Sequence, residues 1–253
     1  MYEDLKGKVV VVTGAGSGLG QATVLQLVKE GAKVVAVTRR QERLNGTLAL
    51  VAELGGEVTG FLSDAANKES QIAAIDKAIE VYGKVDVLVN SAGIADDFSP
   101  LDLTTDEEWE STYTTNVDGT FYITRRAVQV MKEQGHGNIV NISSDCGLFG
   151  GRSGISYTSS KWAVVGMTKN IAYLNAFDGI RCNCVCPGGI PTNFGENSKF
   201  IPAGFDRIKL GFGTVPGQGT KEEIASLITF LCSDASSILN GAIIQADKGW
   251  GAY

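Results

Sequence analysis

Lys8-Val9-Val10-Val11-Val12-Thr13 runs straight into Gly14-Ala15-Gly16-Ser17-Gly18-Leu19-Gly20, and the reading of this junction decides the fold. An unbroken β-branched apolar run is the pattern of a strand buried on both faces. From Gln21 to Glu30 the spacing becomes helical, with Ala22, Leu25 and Val28 on one stripe. Strand, glycine-rich turn and helix, in that order, place phosphate groups on a helix N-terminus. Glycine lets the backbone approach a pyrophosphate and take dihedrals closed to other residues. The spacing is not Gly-x-Gly-x-x-Gly, because Leu19 stands where the last glycine would be; it is Thr13-Gly14-x-x-x-Gly18-x-Gly20. Glycines gathered at a strand–helix junction argue for a phosphate turn rather than a merely flexible one.

Working outward, strand-like runs recur at Val34–Val37, Glu57–Leu62, Val85–Asn90, Asn138–Ile142, Ile180–Cys186 and Ala242–Gln245. Helical segments fit between them at Gln41–Leu54, Lys68–Tyr82, Asp106–Gln134, Ser156–Ala176 and Lys221–Cys232. This alternation predicts an α/β fold with a Rossmann-like, doubly wound parallel sheet in three layers, α/β/α. No linker, repeat or low-complexity segment divides the chain, so residues 1–253 are read as a single domain. The stretch Thr192–Gly219 is irregular and carries Phe194, Phe200, Phe205 and Phe212. A long irregular segment in a compact domain is typically a lid or binding loop, expected over about residues 190–219.

The bulk numbers exclude several classes. A chain of 253 residues needs no staples, since at that size about three quarters of the unfolded surface is buried. A net charge of −6 without a Lys/Arg cluster argues against nucleic acid. No apolar run approaches the ~18 residues of a membrane helix, and Met1-Tyr2-Glu3-Asp4 lacks a signal-peptide pattern. Five cysteines without framework spacing suit a reducing compartment, so the cytoplasm is expected. Cys182, Cys184 and Cys186 alternate along a strand and read as small buried hydrophobes, because zinc ligands are usually spaced by two to four residues with a second pair elsewhere. No metal site is expected. The only histidine, His136, sits between two glycines in a turn, which leaves no serine–histidine triad.

The chemistry is carried by Tyr157 and Lys161, four residues apart and therefore on one face of a helix. A free tyrosine ionises near pH ~10 and exchanges protons poorly at neutrality. A fixed cation beside it is expected to lower that pKa. Reaching about 7 would take roughly 3 units, or about 4 kcal/mol of differential stabilisation. Ser144 lies upstream at the end of Asn141-Ile142-Ser143-Ser144.

Together these motifs resemble the short-chain dehydrogenase/reductase family, in its short single-domain branch, over nearly the whole chain. Thr13-Gly14-x-x-x-Gly18-x-Gly20 matches the cofactor turn. Asn90-Ser91-Ala92-Gly93 matches the family's Asn-Asn-Ala-Gly, with Ser91 as a departure that keeps the Ala92-Gly93 turn. Asn116, Ser144, Tyr157 and Lys161 match the catalytic asparagine, serine, tyrosine and lysine. Ser144 is preferred to Ser143 because it lies thirteen positions before Tyr157, as in many relatives. Pro187-Gly188-Gly189-Ile190-Pro191-Thr192 matches the stretch beside the nicotinamide.

The resemblance implies a cofactor site at Gly14, Ser17, Gly18, Leu19, Gly20, Thr38, Arg39, Arg40, Asp64, Ala65, Asn90, Ala92, Gly93, Tyr157, Lys161, Pro187, Gly188, Ile190 and Thr192. Thr38 stands where NAD-preferring relatives usually carry Asp, and Arg39 follows as in many NADP-preferring ones. Guanidinium groups bind phosphate by charge-assisted bonds, so NADP(H) is favoured over NAD(H); solvated charges at a helix start are the other reading of Arg39 and Arg40. Asp64 matches an adenine contact, with capping of the next helix as its other reading.

The implied reaction interconverts a ketone and a secondary alcohol. Ser144 would hold the substrate oxygen, Tyr157 would pass it a proton, Lys161 would tune Tyr157 and bind the ribose, and Asn116 would hold a water linked to Lys161. Asp145, Cys146, Gly150 and Gly151 would shape the pocket, and the aromatic loop suggests an apolar or bulky, hydroxysteroid-like or 3-oxoacyl ketone. Arg207 and Lys209 would either meet an anionic tail or remain solvated loop charges. The rivals are a non-catalytic NADP-binding homologue, an NAD-dependent polyol or sugar dehydrogenase, an enoyl reductase, disfavoured by the Tyr–Lys spacing, and a sugar-nucleotide epimerase, disfavoured by the lack of a further substrate domain. Relatives pair the helices matching those from Asp106 and Ser156, so a homotetramer or homodimer is expected. The tail Gly249-Trp250-Gly251-Ala252-Tyr253 exposes aromatics unless something covers them.

Overall fold

Val10 and Val12 bury their side chains on one face of a central strand, and Val9 and Val11 bury theirs on the other. This two-sided burial is why the opening run carries no polar alternation. The structure, a computed structural model, describes residues 2–252. Among them, seven parallel strands are formed: β1 (Val9–Thr13), β2 (Lys33–Thr38), β3 (Val58–Leu62), β4 (Val87–Asn90), β5 (Gly137–Ile142), β6 (Ile180–Pro187) and β7 (Ile243–Ala246). Their order is β3-β2-β1-β4-β5-β6-β7. The order reverses between β1 and β4, and a crevice opens beyond the C-terminal ends of the strands at such a switch point.

One face is covered by α1 (Gly18–Lys29), α2 (Gln41–Glu53) and α8 (Lys221–Cys232). The other is covered by α3 (Lys68–Tyr82), α5 (Gly119–Gln134) and α6 (Ile155–Leu174). Val24 and Leu27 of α1 and Ile228 and Leu231 of α8 are fully buried against Val10, Val12 and Val34. Each such side chain contributes roughly 1.5–3 kcal/mol by leaving water. The fold is the expected three-layer α/β/α sandwich.

Three local differences from the sequence-based expectation have physical reasons. Helix α1 begins at Gly18 rather than Gln21, because the last two glycines of the turn belong to its first turn. The helical run 106–134 is interrupted: α4 (Asp106–Tyr113) passes into a π-helical turn at Thr114–Asp118 before α5. Such turns widen a helix locally, and this one carries Asn116, 1 % exposed. The stretch 192–219 is not wholly irregular, since it contains α7 (Pro202–Ile208) and a 3-10 segment Lys209–Thr214. Cys182, Cys184 and Cys186 are all buried in β6, where they pack as small apolar groups. No helix among the described residues is long and apolar enough to cross a membrane.

Candidate active site

Strands β1, β4, β5 and β6 end on one rim, and a cleft of about 740 Å³ lies along it. Its first half is built by the glycine turn. Gly14 has φ +67°, and a Cβ there would stand 2.9 Å from both Ala92 N and Ser91 O. Ser17 stands at the start of α1 without a side-chain cap, so the first amides of the helix remain free to bind an anion. A Cβ on Gly16 would lie 2.6 Å from Thr38 Oγ1 and 2.8 Å from Arg43 Cβ. The turn thus fits a dinucleotide: it keeps side chains out of a cradle in which the first amides of α1 are unspent.

Ser17, Gly18, Leu19, Gly20, Thr38, Arg39, Arg40, Asp64 and Ala65 line this half, together with Arg43. Arg43 was not anticipated; its signal was its place in the first turn of the helix expected from Gln41. Asp64 does not cap α3. It accepts from Ala66 N at 3.0 Å, while Asn67 Oδ1 takes the capping bond from Ser70 N at 2.8 Å. Asn90 does not face the cleft. Its Nδ2 donates to Thr124 Oγ1 and Asn141 Oδ1, each at 2.8 Å, so it crosslinks β4, α5 and β5 beneath the site.

The second half is framed by Ala92, Gly93, Pro187, Gly188, Ile190 and Thr192 and holds Ser144, Tyr157 and Lys161. Lys161 Nζ lies 5.4 Å from the Tyr157 ring centroid and donates to Ile142 O at 3.1 Å. The lysine is 5 % exposed, and burial pulls its pKa down to about 8. Tyr157 departs from expectation: burial, joined by the negative field of neighbouring thiol and carboxyl groups, pushes its phenol well above the usual value, while Ser144 opposes the shift. The ammonium lies 5.4 Å from the ring centroid, and desolvation of the buried phenol dominates.

The two serines divide their roles clearly. Ser143 Oγ–H donates to Lys161 O at 2.9 Å and ties β5 to α6. Ser144 Oγ–H donates to Asp145 Oδ1 at 2.9 Å and accepts from Cys146 N at 3.2 Å, on the cleft wall. Asp145 is itself buried, which raises its carboxyl above the ordinary range. Asn116 is not on the wall. Its Oδ1 accepts from Ile94 N at 2.8 Å, and its Nδ2 donates to Ile94 O at 3.0 Å and Ser160 Oγ at 3.1 Å. It braces Gly93 against Lys161, since a Cβ on Gly93 would lie 3.2 Å from Asn116 Oδ1 and 3.4 Å from Lys161 Nζ.

Asp96 was not singled out by any motif, yet it holds the start of the tyrosine helix. Its Oδ2 accepts from Tyr157 N at 3.0 Å. Its Oδ1 accepts from Ser153 Oγ at 2.9 Å and Gly154 N at 3.3 Å. The carboxylate is 2 % exposed and lies at a helix N-terminus, where its charge is favoured. Asp96→Ala is expected to lower stability by about 1–3 kcal/mol and kcat by roughly tenfold, since small misplacements of a reacting group are costly. Denaturant unfolding and steady-state kinetics with matched cofactor check both.

The segment 192–219 packs along this half. Phe194 packs on Tyr157 with centroids 5.7 Å apart. Phe98, Phe200, Phe205, Phe212 and Trp250 form a continuous aromatic row. Ser198 Oγ–H donates to Asp96 O at 2.7 Å and Ile201 N to Asp97 O at 2.8 Å, which anchors the lid on the loop after β4. Trp250 is 6 % exposed, so the chain's own lid covers the tail; Tyr253 lies outside the described residues. Arg207 and Lys209 do not line the cleft, and Lys209 pairs with Asp206 at 2.6 Å.

The family model described as short chain dehydrogenase matches residues 8–199. The chain is 37 % identical over 251 residues to a 3beta-hydroxysteroid dehydrogenase 2 of Eggerthella lenta, covering 98 % of this chain and 96 % of that one. It is 37 % identical to the 3-oxoacyl-[acyl-carrier-protein] reductase FabG of Thermotoga maritima, covering 97 % of this chain and 98 % of that one. The crystal structure of levodione reductase superposes with a TM-score of 0.90 at 33 % identity, over 98 % of this chain and 99 % of that one.

Proposed function

The chain belongs to the short-chain dehydrogenase/reductase family, and we propose that it is an NADP(H)-dependent reductase of an apolar or bulky ketone. The observation that carries this reading is the convergence of Ser144, Tyr157 and Lys161 on one cleft, beneath an aromatic lid and in line with an uncapped helix N-terminus. The nicotinamide cofactor supplies the hydride when bound. Ser144 holds the carbonyl oxygen by turning its hydroxyl from Asp145 toward it. Tyr157 gives that oxygen its proton. Lys161 holds the ribose hydroxyls. Ala92, Gly93, Pro187 and Ile190 shape the slot for the ring, and the lid excludes water.

The NADP preference is supported by Arg39, Arg40 and Arg43 at one end of the cleft with no acid at Thr38. Arg39 and Arg40 precede α2 and Arg43 lies in its first turn, and all three carry planar donors suited to a 2′-phosphate. Thr38→Asp is expected to shift the kcat/KM ratio of NADPH to NADH at least about tenfold toward NADH, by repelling the phosphate and binding the ribose hydroxyls. Oxidation of NADPH and of NADH over a ketone panel tests the whole reading: no turnover of any ketone with either cofactor would end it.

We also propose a homotetramer or homodimer built on α4, α5 and α6, which leave Trp109, Phe121 and Trp162 partly exposed. Burial of five free thiols supports the cytoplasm as the compartment. The whole chain acts as one domain in this reading, and the segment 190–219 covers the substrate.

A further inference from the structure

Arg152 stands between Ser144 and Tyr157 in the chain, on the cleft wall, and is 9 % exposed. Its guanidinium lies 3.3 Å over the centroid of the Trp250 ring and 5.2 Å from that of Phe149. Trp250 is fixed in turn, because its indole N–H donates to Thr214 Oγ1 at 3.0 Å. Stacking of this kind occupies the faces of a guanidinium and leaves its in-plane N–H groups unspent. Among the described residues no protein acceptor takes a hydrogen bond from this side chain, and no carboxylate comes within the 4.0 Å of an ion pair. Asp145 feels the cation, but its Oδ1 is committed to the Ser144 hydroxyl and burial holds its carboxyl toward the neutral form. None of the Arg152 nitrogens is a buried donor without a partner, so the N–H groups open to the cleft, where an anion can take them.

We propose that Arg152 recognises an anionic group on the substrate, and that the substrate is a ketone or secondary alcohol bearing a carboxylate. The guanidinium is held over Trp250 on the cleft wall, and its fork of N–H donors suits a planar anion taken in bidentate fashion. The assignment rests on reading the cleft as a ketone-reductase site. It replaces Arg207 and Lys209, which lie outside the cleft, as the place where a negative group would be met.

The test compares reduction of 4-oxocyclohexanecarboxylate with that of its methyl ester, which keeps the reacting carbonyl and removes the charge. Wild-type enzyme is expected to favour the acid at least about tenfold in kcat/KM, chiefly through KM, as a charge-assisted pair implies. Arg152→Gln is expected to lower kcat/KM for the acid about 10–100-fold while moving the ester less than about threefold. Arg152→Lys, which keeps the charge but loses the fork, is expected to fall between them, and it serves if Arg152→Gln does not fold. Equal use of acid and ester by the wild type, or an equal loss of both in the variants, overturns the proposal. A calorimetric titration with redox-inert cyclohexanecarboxylate against cyclohexanecarboxamide separates it from the reductase reading. If neither ketone is reduced but the carboxylate binds wild type and not Arg152→Gln, the anion site stands and the reductase reading falls. If the carboxylate binds no better than the amide, the anion site falls.

Discussion

Replacing Tyr157 by phenylalanine is expected to lower kcat for ketone reduction by on the order of 10²–10⁴-fold, the range lost when a positioned acid is removed. The substitution deletes one oxygen and keeps the ring. The ring contacts with Phe194 and with Lys161, at 5.7 and 5.4 Å, therefore persist, and so does the Tyr157 N bond to Asp96. Cofactor affinity, read by fluorescence titration of NADPH, is expected to stay within about threefold of wild type, which separates lost chemistry from lost binding. The raised phenol pKa keeps Tyr157 protonated through neutrality. Its own ionisation should therefore leave no inflection in the reduction profile near pH 7. Turnover comparable to wild type in this variant would remove Tyr157 from the mechanism.

The second large effect has opposite signs for activity and stability. Lys161→Met is expected to reduce kcat by about 10²-fold or more and yet to stabilise the cofactor-free protein at pH 7. The ammonium is buried with no carboxylate partner, and its folded-state pKa of about 8 lies below the ordinary 10.5. Between those values the unfolded chain binds more protons than the native one, so wild-type stability rises with pH across that window. Below about pH 8 the native state carries the full cost of the buried charge, at most about 3 kcal/mol. Methionine removes that cost but also the 3.1 Å bond to Ile142 O, worth about 1 kcal/mol. A net gain of about 1–2 kcal/mol is expected at pH 7, shrinking to nothing by pH 10. Urea unfolding at both pH values reads it directly. Wild-type reduction should decline above about pH 8 as Lys161 loses its charge, and a stability difference between variant and wild type that is the same at pH 7 and pH 10 would contradict this account.

Much of the site could be read from order and spacing. The strand–glycine–helix junction located the cradle, and the Tyr–x–x–x–Lys interval put two side chains on one helical face. What escaped depended on contacts between distant segments. Asp96 belongs to no periodic pattern, and its worth lies in bonds to donors 57–61 residues away. Arg152 looks like any loop arginine until Trp250 folds onto it from the C-terminal tail. Asn90 and Asn116 carry the right letters but turn away from the cleft, because side-chain direction in β4 and in the π-helical turn is set by packing against α5 and α6. The tyrosine pKa was misjudged for the same reason: spacing reports proximity but not depth, and depth sets the dielectric in which the two groups meet.

The loop after β4 grips two parts of the site at once. Through its carboxylate, Asp96 fixes where the phenol stands; through its carbonyl, the same residue tethers Ser198 and with it the cover of the cleft. In the proposed reaction, cover of the cleft and aim of the proton donor are therefore tied together by a single amino acid. Remodelling the cover to admit bulkier molecules will disturb the acid unless residues 96–97 are left untouched, so efforts to redirect this scaffold should begin beyond Phe205, nearer the Trp250 end.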